Sequence, residues 1–196
     1  MTAASRRSLT LILGGARGGK SAFAQALAAK MGERVTFIAT AEAGDEEMAA
    51  RIEHHRNARP EEWQTIEAPT GAGEAVRAAA SPEVILLDCL ALLVSNLLLG
   101  AGEEHAVAQE RVDHEIANLL AAYAAGLASL IIVTNEVGLG LVPAYPLGRT
   151  YRDLLGRANA QLAAAADQVF VMVAGLAMEI KASGLAKPWE ADDVTA

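Results

Sequence analysis

Short apolar runs recur along the chain, and each gives way to a polar or glycine-rich segment. Residues 9–13, 35–40, 84–88, 130–134 and 168–173 are apolar or β-branched at successive positions rather than alternate ones, which predicts strands covered on both faces. Helical patterns separate them. Residues 20 to about 31 predict one helix, and 45–58 a second, with Asp45 at its start, Met48, Ile52 and His55 on one face, and Pro60 helping to stop it. A loop with a short alanine-rich helix is expected over 70–81. An apolar helix follows at 90–99, then a longer one at 106–125 striped by Val112, Ile116, Leu119 and Leu120, and a third at 151–166. Strands alternating with helices predict an α/β fold with a mainly parallel central sheet flanked by helices. Ligands of such sheets bind beyond the carboxyl ends of the strands, which places 14–21, 40–47, Asp88 and 135–149 at one rim.

The chain of 196 residues, 53% of them hydrophobic, suits a single domain over 9–181, with a leader at 1–8 and a polar tail at 182–196. A net charge of -8, from 16 basic and 24 acidic residues, with 4% aromatics, provides no basic stripe interleaved with stacking rings and argues against a nucleic-acid partner. One cysteine, Cys89, rules out an internal disulfide framework and accords with a reducing compartment. Arg6 and Arg7 precede an apolar stretch that runs into a glycine-rich loop rather than a cleavage site, so no secretory signal is read. Apolar tracts fall well short of the roughly 18 residues of a membrane span. A cytoplasmic protein is expected.

The segment Gly14-Gly15-Ala16-Arg17-Gly18-Gly19-Lys20-Ser21 lies between the first predicted strand and the first predicted helix, the context in which G-x-x-x-x-G-K-[ST] binds a nucleoside triphosphate. Glycines let the backbone turn its N–H groups onto phosphate oxygens, and the helix adds the positive end of its dipole. Lys20 can reach the β and γ phosphates, and Ser21 offers a hydroxyl to Mg²⁺. Asp88 ends an apolar strand as an acid that holds Mg²⁺ would; a helix N-cap is a compatible role, but a carboxylate at the end of an apolar strand facing a triphosphate site is more economical as a metal ligand. Cys89 reads as a small buried hydrophobe. Adjacent residues on a helix do not share a face, so His54 and His55 make a poor metal pair. His55 continues a packing face, whereas His54 lies beside Arg51 and Glu47 and could be a nucleophile, acid or base. His105 and His114 read as solvated. Asn135 and Glu136 leave the fourth strand before a glycine-containing loop, and Arg149, Arg152 and Arg157 follow; arginine forks suit phosphates or carboxylates, and also weak surface ion pairs.

The ordered set of motifs resembles the bifunctional adenosylcobinamide kinase/adenosylcobinamide-phosphate guanylyltransferase family of cobalamin biosynthesis. Besides the phosphate loop, the resemblance rests on Phe37-Ile38-Ala39-Thr40, Glu46-Glu47-Met48 with Arg51-Ile52 and His54-His55, and Arg59-Pro60 with Trp63. It continues through Leu86-Leu87-Asp88-Cys89, Val94-Ser95-Asn96-Leu97, Val133-Thr134-Asn135-Glu136-Val137-Gly138, Pro143 with Arg149, and Arg152-Asp153 with Gly156-Arg157 and Asn159. It implies a recombinase-like P-loop NTPase fold and two reactions. ATP or GTP phosphorylates the aminopropanol hydroxyl of adenosylcobinamide, then GTP donates GMP to the resulting phosphate through a guanylylated histidine, with pyrophosphate released. By the same resemblance that histidine is His54; the nucleotide is held by residues 14–21 with Thr40, Glu67 and Asp88; Ser21 and Asp88 serve Mg²⁺; Arg51, Asn135, Glu136, Arg149, Arg152 and Arg157 contact substrate or phosphate. A homo-oligomer, usually a trimer with sites near subunit contacts, is implied as well. Gly18 and Asp88 stand where the family commonly has serine and glutamate. Two other readings of the residues stay open: a small-metabolite kinase in which His54 only positions substrate, and a nucleotide-gated regulator.

Overall fold

Successive side chains of a strand point to opposite faces of its sheet, and that geometry sorts the apolar runs into two cores. The computed structural model describes residues 7–44, 46–57, 59–102 and 104–184. Within them the order is β1 (Leu9–Gly14), α1 (Lys20–Met31), β2 (Val35–Ala39), α2 (Glu46–Asn57), β3 (Gln64–Glu67), α3 (Ala72–Ala78), β4 (Val84–Asp88), α4 (Leu90–Gly100), α5 (His105–Ala125), β5 (Ser129–Val133), α6 (Pro146–Ala165), β6 (Gln168–Val173) and β7 (Leu176–Glu179). One seven-stranded sheet runs β3-β2-β4-β5-β1-β6-β7, parallel except for the antiparallel β6–β7 pair.

Leu9, Leu11, Ile38, Ile85, Leu87, Leu130 and Ile132 face one core, which α3, α4, α5 and α6 complete. Ile12, Phe37, Leu86, Ile131 and Val133 face the other, covered by α1 through Ala24 and Ala28. Small residues on α1 let it lie close to β4, β5 and β1, so its N-terminus meets the carboxyl ends of the central strands. On α5, Ala108, Val112, Ile116, Leu119 and Ala122 form the buried stripe. Glu115, also buried, accepts the Gly71 and Gly73 N–H groups, both at 3.3 Å, and so supplies the acceptor that the N-terminus of α3 lacks on its own side chains.

Two strands escape the sequence pattern. β3 alternates weakly and is largely exposed, because it is an edge strand anchored by buried Trp63 just before it. β7 is exposed too, and returns from β6 through Ala174 and Gly175, whose φ angles of 50° and 81° make the two-residue turn of an antiparallel hairpin. Helix α6 begins at Pro146 rather than near 151: proline at the first turn forgoes no helical hydrogen bond, so a segment that reads as loop is already helical. The residues bounding the expected 45–58 helix, Asp45 and Ala58, lie outside the described set. At the amino end the packing takes in Arg7 and Ser8, which the sequence assigns to a leader. The Ser8 N–H donates to Ser129 Oγ and its carbonyl accepts the Leu130 N–H, while the Arg7 guanidinium lies 4.0 Å over the Tyr123 ring and donates to the Tyr123 carbonyl.

The carboxyl end is clasped by two charged side chains. Glu179 accepts the N–H groups of Val169, Lys181, Ala182 and Ser183, while Lys181 Nζ donates to the carbonyls of Ala163, Ala164 and Ala166 at the end of α6. Burial pulls the Glu179 carboxyl upward, but the four N–H donors outweigh it and bring the pKa down to about 2. A carboxyl lowered in the folded state stabilises fully above its ordinary value near 4.5, and the contribution fades as pH falls toward 2. Melting temperatures of wild type and Glu179→Gln are therefore expected to differ most above pH 4.5 and to converge near pH 2; a gap constant across that window contradicts the clasp.

Candidate active site

The chain leaves β1 through a glycine that no other residue can replace without strain. Gly14 has a φ of 154°, and a Cβ there would stand 2.4 Å from the Met172 carbonyl oxygen of β6. Backbone cannot yield as a side-chain tip can, so Gly14→Ala is expected to cost about 1–3 kcal/mol of stability and to weaken nucleotide affinity by displacing the loop. Thermal melts and nucleotide titration read the two losses, and unchanged values in both contradict it. Gly19, with φ 87°, turns the chain into α1, and its carbonyl accepts the Phe23 N–H at 3.0 Å. Across the loop, Gly18 N–H donates to Gly15 O at 3.3 Å. A side chain at position 18 would begin 3.1 Å from that same oxygen, so glycine in place of serine removes a tight contact.

Lys20 folds back over the loop, its Nζ donating to Gly15 O at 2.7 Å, and is 8% exposed. It opens onto a cavity of about 500 Å³. Residues 16–21 form one wall, Asp88, Cys89 and Asn135 the floor at the ends of β4 and β5, and Phe37, Ile52, Leu92 and Tyr151 the apolar sides. Ser21 and Asp88 thus share one space with the phosphate loop. A hydroxyl and a carboxylate are hard oxygen donors, and among the described residues no group of three or more His, Cys, Asp or Glu forms a protein cage for a metal. Burial and the adjacent Asp88 charge raise the Cys89 thiol to about 11, which keeps it protonated and unreactive, as the sequence suggests.

Several sequence-derived candidates lie elsewhere. Thr40 is fully buried: its hydroxyl donates to Cys89 O at 2.7 Å and accepts Cys89 N–H at 2.8 Å, while Asn96 ties the Thr40 and Pro69 carbonyls. It clamps the ends of β2 and β4 rather than lining the cavity. Glu67, at the end of β3, is ion-paired with Arg56. Glu136 accepts the Gly138 N–H of its own loop, and Arg149 donates to the Pro143 and Ala144 carbonyls at 3.0 and 2.8 Å, so both shape the 136–149 segment. Arg152 pairs with Asp153 at 3.5 Å and Arg157 is exposed on α6. Of that block Asn135 alone lines the cavity; its carbonyl is fixed by Asn159, which also accepts the Thr134 hydroxyl. Ile52 brings α2 to the cavity wall, and His54 sits on the same helix; the side chains of Arg51, His54 and His55 lie outside the described set.

Sequence reasoning passed over Tyr151 and the role of Arg59. Tyr151 OH donates to Ala91 O at 3.2 Å, and burial, aided by Cys89, lifts the phenol to about 12. It is therefore a neutral wall, and nothing in the pattern of a helix start distinguishes it. Arg59 stood in a visible Arg-Pro pair but carried no assigned task. A second cavity, about 330 Å³, opens between α3 and α5 near Tyr123 and Leu127, at the amino ends of β4 and β5 and away from the phosphate loop.

Fold and site together define a P-loop NTPase-like α/β protein. The flagellar accessory protein FlaH of Methanocaldococcus jannaschii superposes with a TM-score of 0.51 at 19% identity, covering 89% of this chain and 78% of that one. A second solved structure, of an ATPase domain, superposes with 0.52 at 15%, covering 85% and 69%. The model of the cobinamide kinase/cobinamide phosphate guanyltransferase family matches residues 10–180, and the chain belongs to that family. It is a bifunctional adenosylcobinamide kinase and guanylyltransferase. Its relatives include the bifunctional adenosylcobalamin biosynthesis protein CobU of Escherichia coli (strain K12), 43% identical over 181 residues that cover 88% of this chain and 99% of that protein. CobP of Pseudomonas aeruginosa is 42% identical, with 89% and 98% covered. Among the described residues no helix is long and apolar enough to cross a membrane.

Proposed function

We propose that the cavity holds ATP or GTP on residues 14–21 and transfers its γ-phosphoryl group to the aminopropanol hydroxyl of adenosylcobinamide, and that GTP then guanylylates His54 on the adjacent helix. In the first step the hydroxyl oxygen bonds to γ-phosphorus, the bond to the β–γ bridging oxygen breaks, and the hydroxyl proton ends in solvent. Lys20 and the loop N–H groups hold the phosphates, and Ser21 and Asp88 would hold Mg²⁺, which neutralises phosphate charge when bound. In the second, an imidazole nitrogen of His54 displaces pyrophosphate from the α-phosphorus of GTP. An oxygen of adenosylcobinamide phosphate next displaces the imidazole, giving adenosylcobinamide-GDP. The observation that carries this reading is the shared cavity: phosphate loop, Asp88 and a residue of α2 line one space.

The finer assignment of the fold as recombinase-like rests on β5 standing between β1, which enters the phosphate loop, and β4, which ends in Asp88. A cytoplasmic setting accords with the single unpaired cysteine. The homotrimer carried over from the family is supported by Leu139, Leu141, Val142 and Tyr145, which are exposed together near the rim and offer apolar surface to a second copy. The deciding experiment supplies adenosylcobinamide, Mg²⁺ and GTP labelled at the α or the γ position. The γ label is expected in adenosylcobinamide phosphate and the α label in adenosylcobinamide-GDP. Phosphorylation with no transfer of the α label would reduce the protein to a simple kinase, and nucleotide binding without either product to a regulator.

A further inference from the structure

Arg59 stands between α2 and buried Trp63, ahead of β3, where Pro60 fixes the next backbone angle. Its guanidinium carbon lies 4.0 Å from the centroid of the Phe37 ring, and Nη1 donates to Thr65 Oγ1 at 3.2 Å. Stacking on one face and a hydrogen bond at one edge hold a long side chain in a single pose, so little freedom remains to be lost when a ligand arrives. The same residue lines the cavity that holds Lys20, Ser21 and Asp88. Topology sets the two cations apart: the phosphate loop follows β1, whereas Arg59 lies on a β2 ring, with β5 and β4 between them in the sheet. Burial and the Arg56 charge lower the Arg59 pKa, while Asp88 and Glu67 raise it; a guanidinium remains charged throughout.

The geometry points to Arg59 as a catalytic residue of the phosphoryl-transfer step, a fixed guanidinium that binds the terminal phosphate of the nucleotide across the cavity from Lys20. This rests on the functional reading above and extends it. Charge spreads over the equatorial oxygens as the β–γ bridging bond breaks and the acceptor oxygen bonds to phosphorus. A planar fork can donate two parallel hydrogen bonds to two of those oxygens, which an ammonium cannot. Two cations approaching one phosphoryl group from different strands would both hold and aim it.

The test uses the whole chain with adenosylcobinamide and GTP. Arg59→Ala is expected to lower the kcat of phosphorylation about 10²–10³-fold, with the KM for GTP changed by less than about threefold. Arg59→Lys should recover little of the loss, since it keeps charge without fork or stack. Guanidinium ion added at millimolar levels should restore turnover to Arg59→Ala, and urea, a neutral molecule of similar shape, should not. A wild-type protein that phosphorylates nothing overturns the functional reading, and this role with it. Wild-type turnover alongside an Arg59→Ala variant whose kcat is unchanged overturns the role of Arg59 alone. So does a loss of turnover that follows a lowered melting temperature and gains nothing from guanidinium, because that is the signature of a merely structural stack on Phe37.

Discussion

Lys20→Ala is expected to reduce triphosphate-dependent phosphorylation by at least about 10³-fold, close to background. Its ammonium lies against Gly15 O, inside the phosphate loop. With nucleotide on the loop, that ammonium is placed to meet the β and γ oxygens and to stabilise the transferring group. Alanine removes that cation from a mostly buried position and leaves the phosphate charge without it, where the deficit is large. Loss of the hydrogen bond to Gly15 should cost stability only about 1 kcal/mol, so the folded fraction of the variant stays high. Initial rates with labelled γ-phosphate, taken beside a thermal melt, separate the two effects. Near-normal turnover in this variant would remove the loop from the mechanism.

His54→Asn is expected to abolish guanylyl transfer, a fall of at least about 10³-fold, while much of the kinase activity survives. The phosphate loop and Asp88 need no histidine nucleophile, whereas the second reaction has no covalent carrier without it. Wild-type protein incubated with Mg²⁺ and α-labelled GTP should carry one GMP on His54, found by intact-protein and peptide mass analysis, and the γ label should not be retained. The adduct should be acid-labile, because protonating the imidazole makes it a better leaving group. His55→Asn should keep the adduct. GMP on His55, or full guanylyl transfer by the His54 variant, would overturn the choice of nucleophile.

Repetition at the right period made the centre of the molecule readable. β1, β2, β4 and β5 are covered on both faces and β6 in part, so their apolar residues run on with little break, and a glycine-rich turn between strand and helix has few other physical uses. β3 and β7 went unread because edge strands bury little and so carry no such run. Within the site, Lys20, Ser21, Asp88 and Asn135 do share the cavity that the strand-end rule anticipates. The resemblance puts Thr40 on the nucleotide and Glu136 and Arg149 on substrate or phosphate, and the polar atoms of all three hydrogen-bond to backbone. Backbone partners of that kind leave no spacing in a sequence. Arg59 and Tyr151 reach the cavity through packing on Phe37 and against α4, contacts distant in sequence that one chain cannot display.

Gly14 presses against the Met172 carbonyl, and a Cβ on Gly19 would meet Gly175 at 3.6 Å, so the seat of the phosphate loop is made by the β6–β7 hairpin. The phosphate loop therefore waits for β6 and β7, which are synthesised only from Gln168 onward, before it has a shape. A growing chain that ends short of Met172 can pair β1 with β5 but has nothing to seat the loop against. Such a chain would neither hold a triphosphate nor draw on its stabilisation, and nucleotide would begin to favour the folded state only once β6 and β7 have been made.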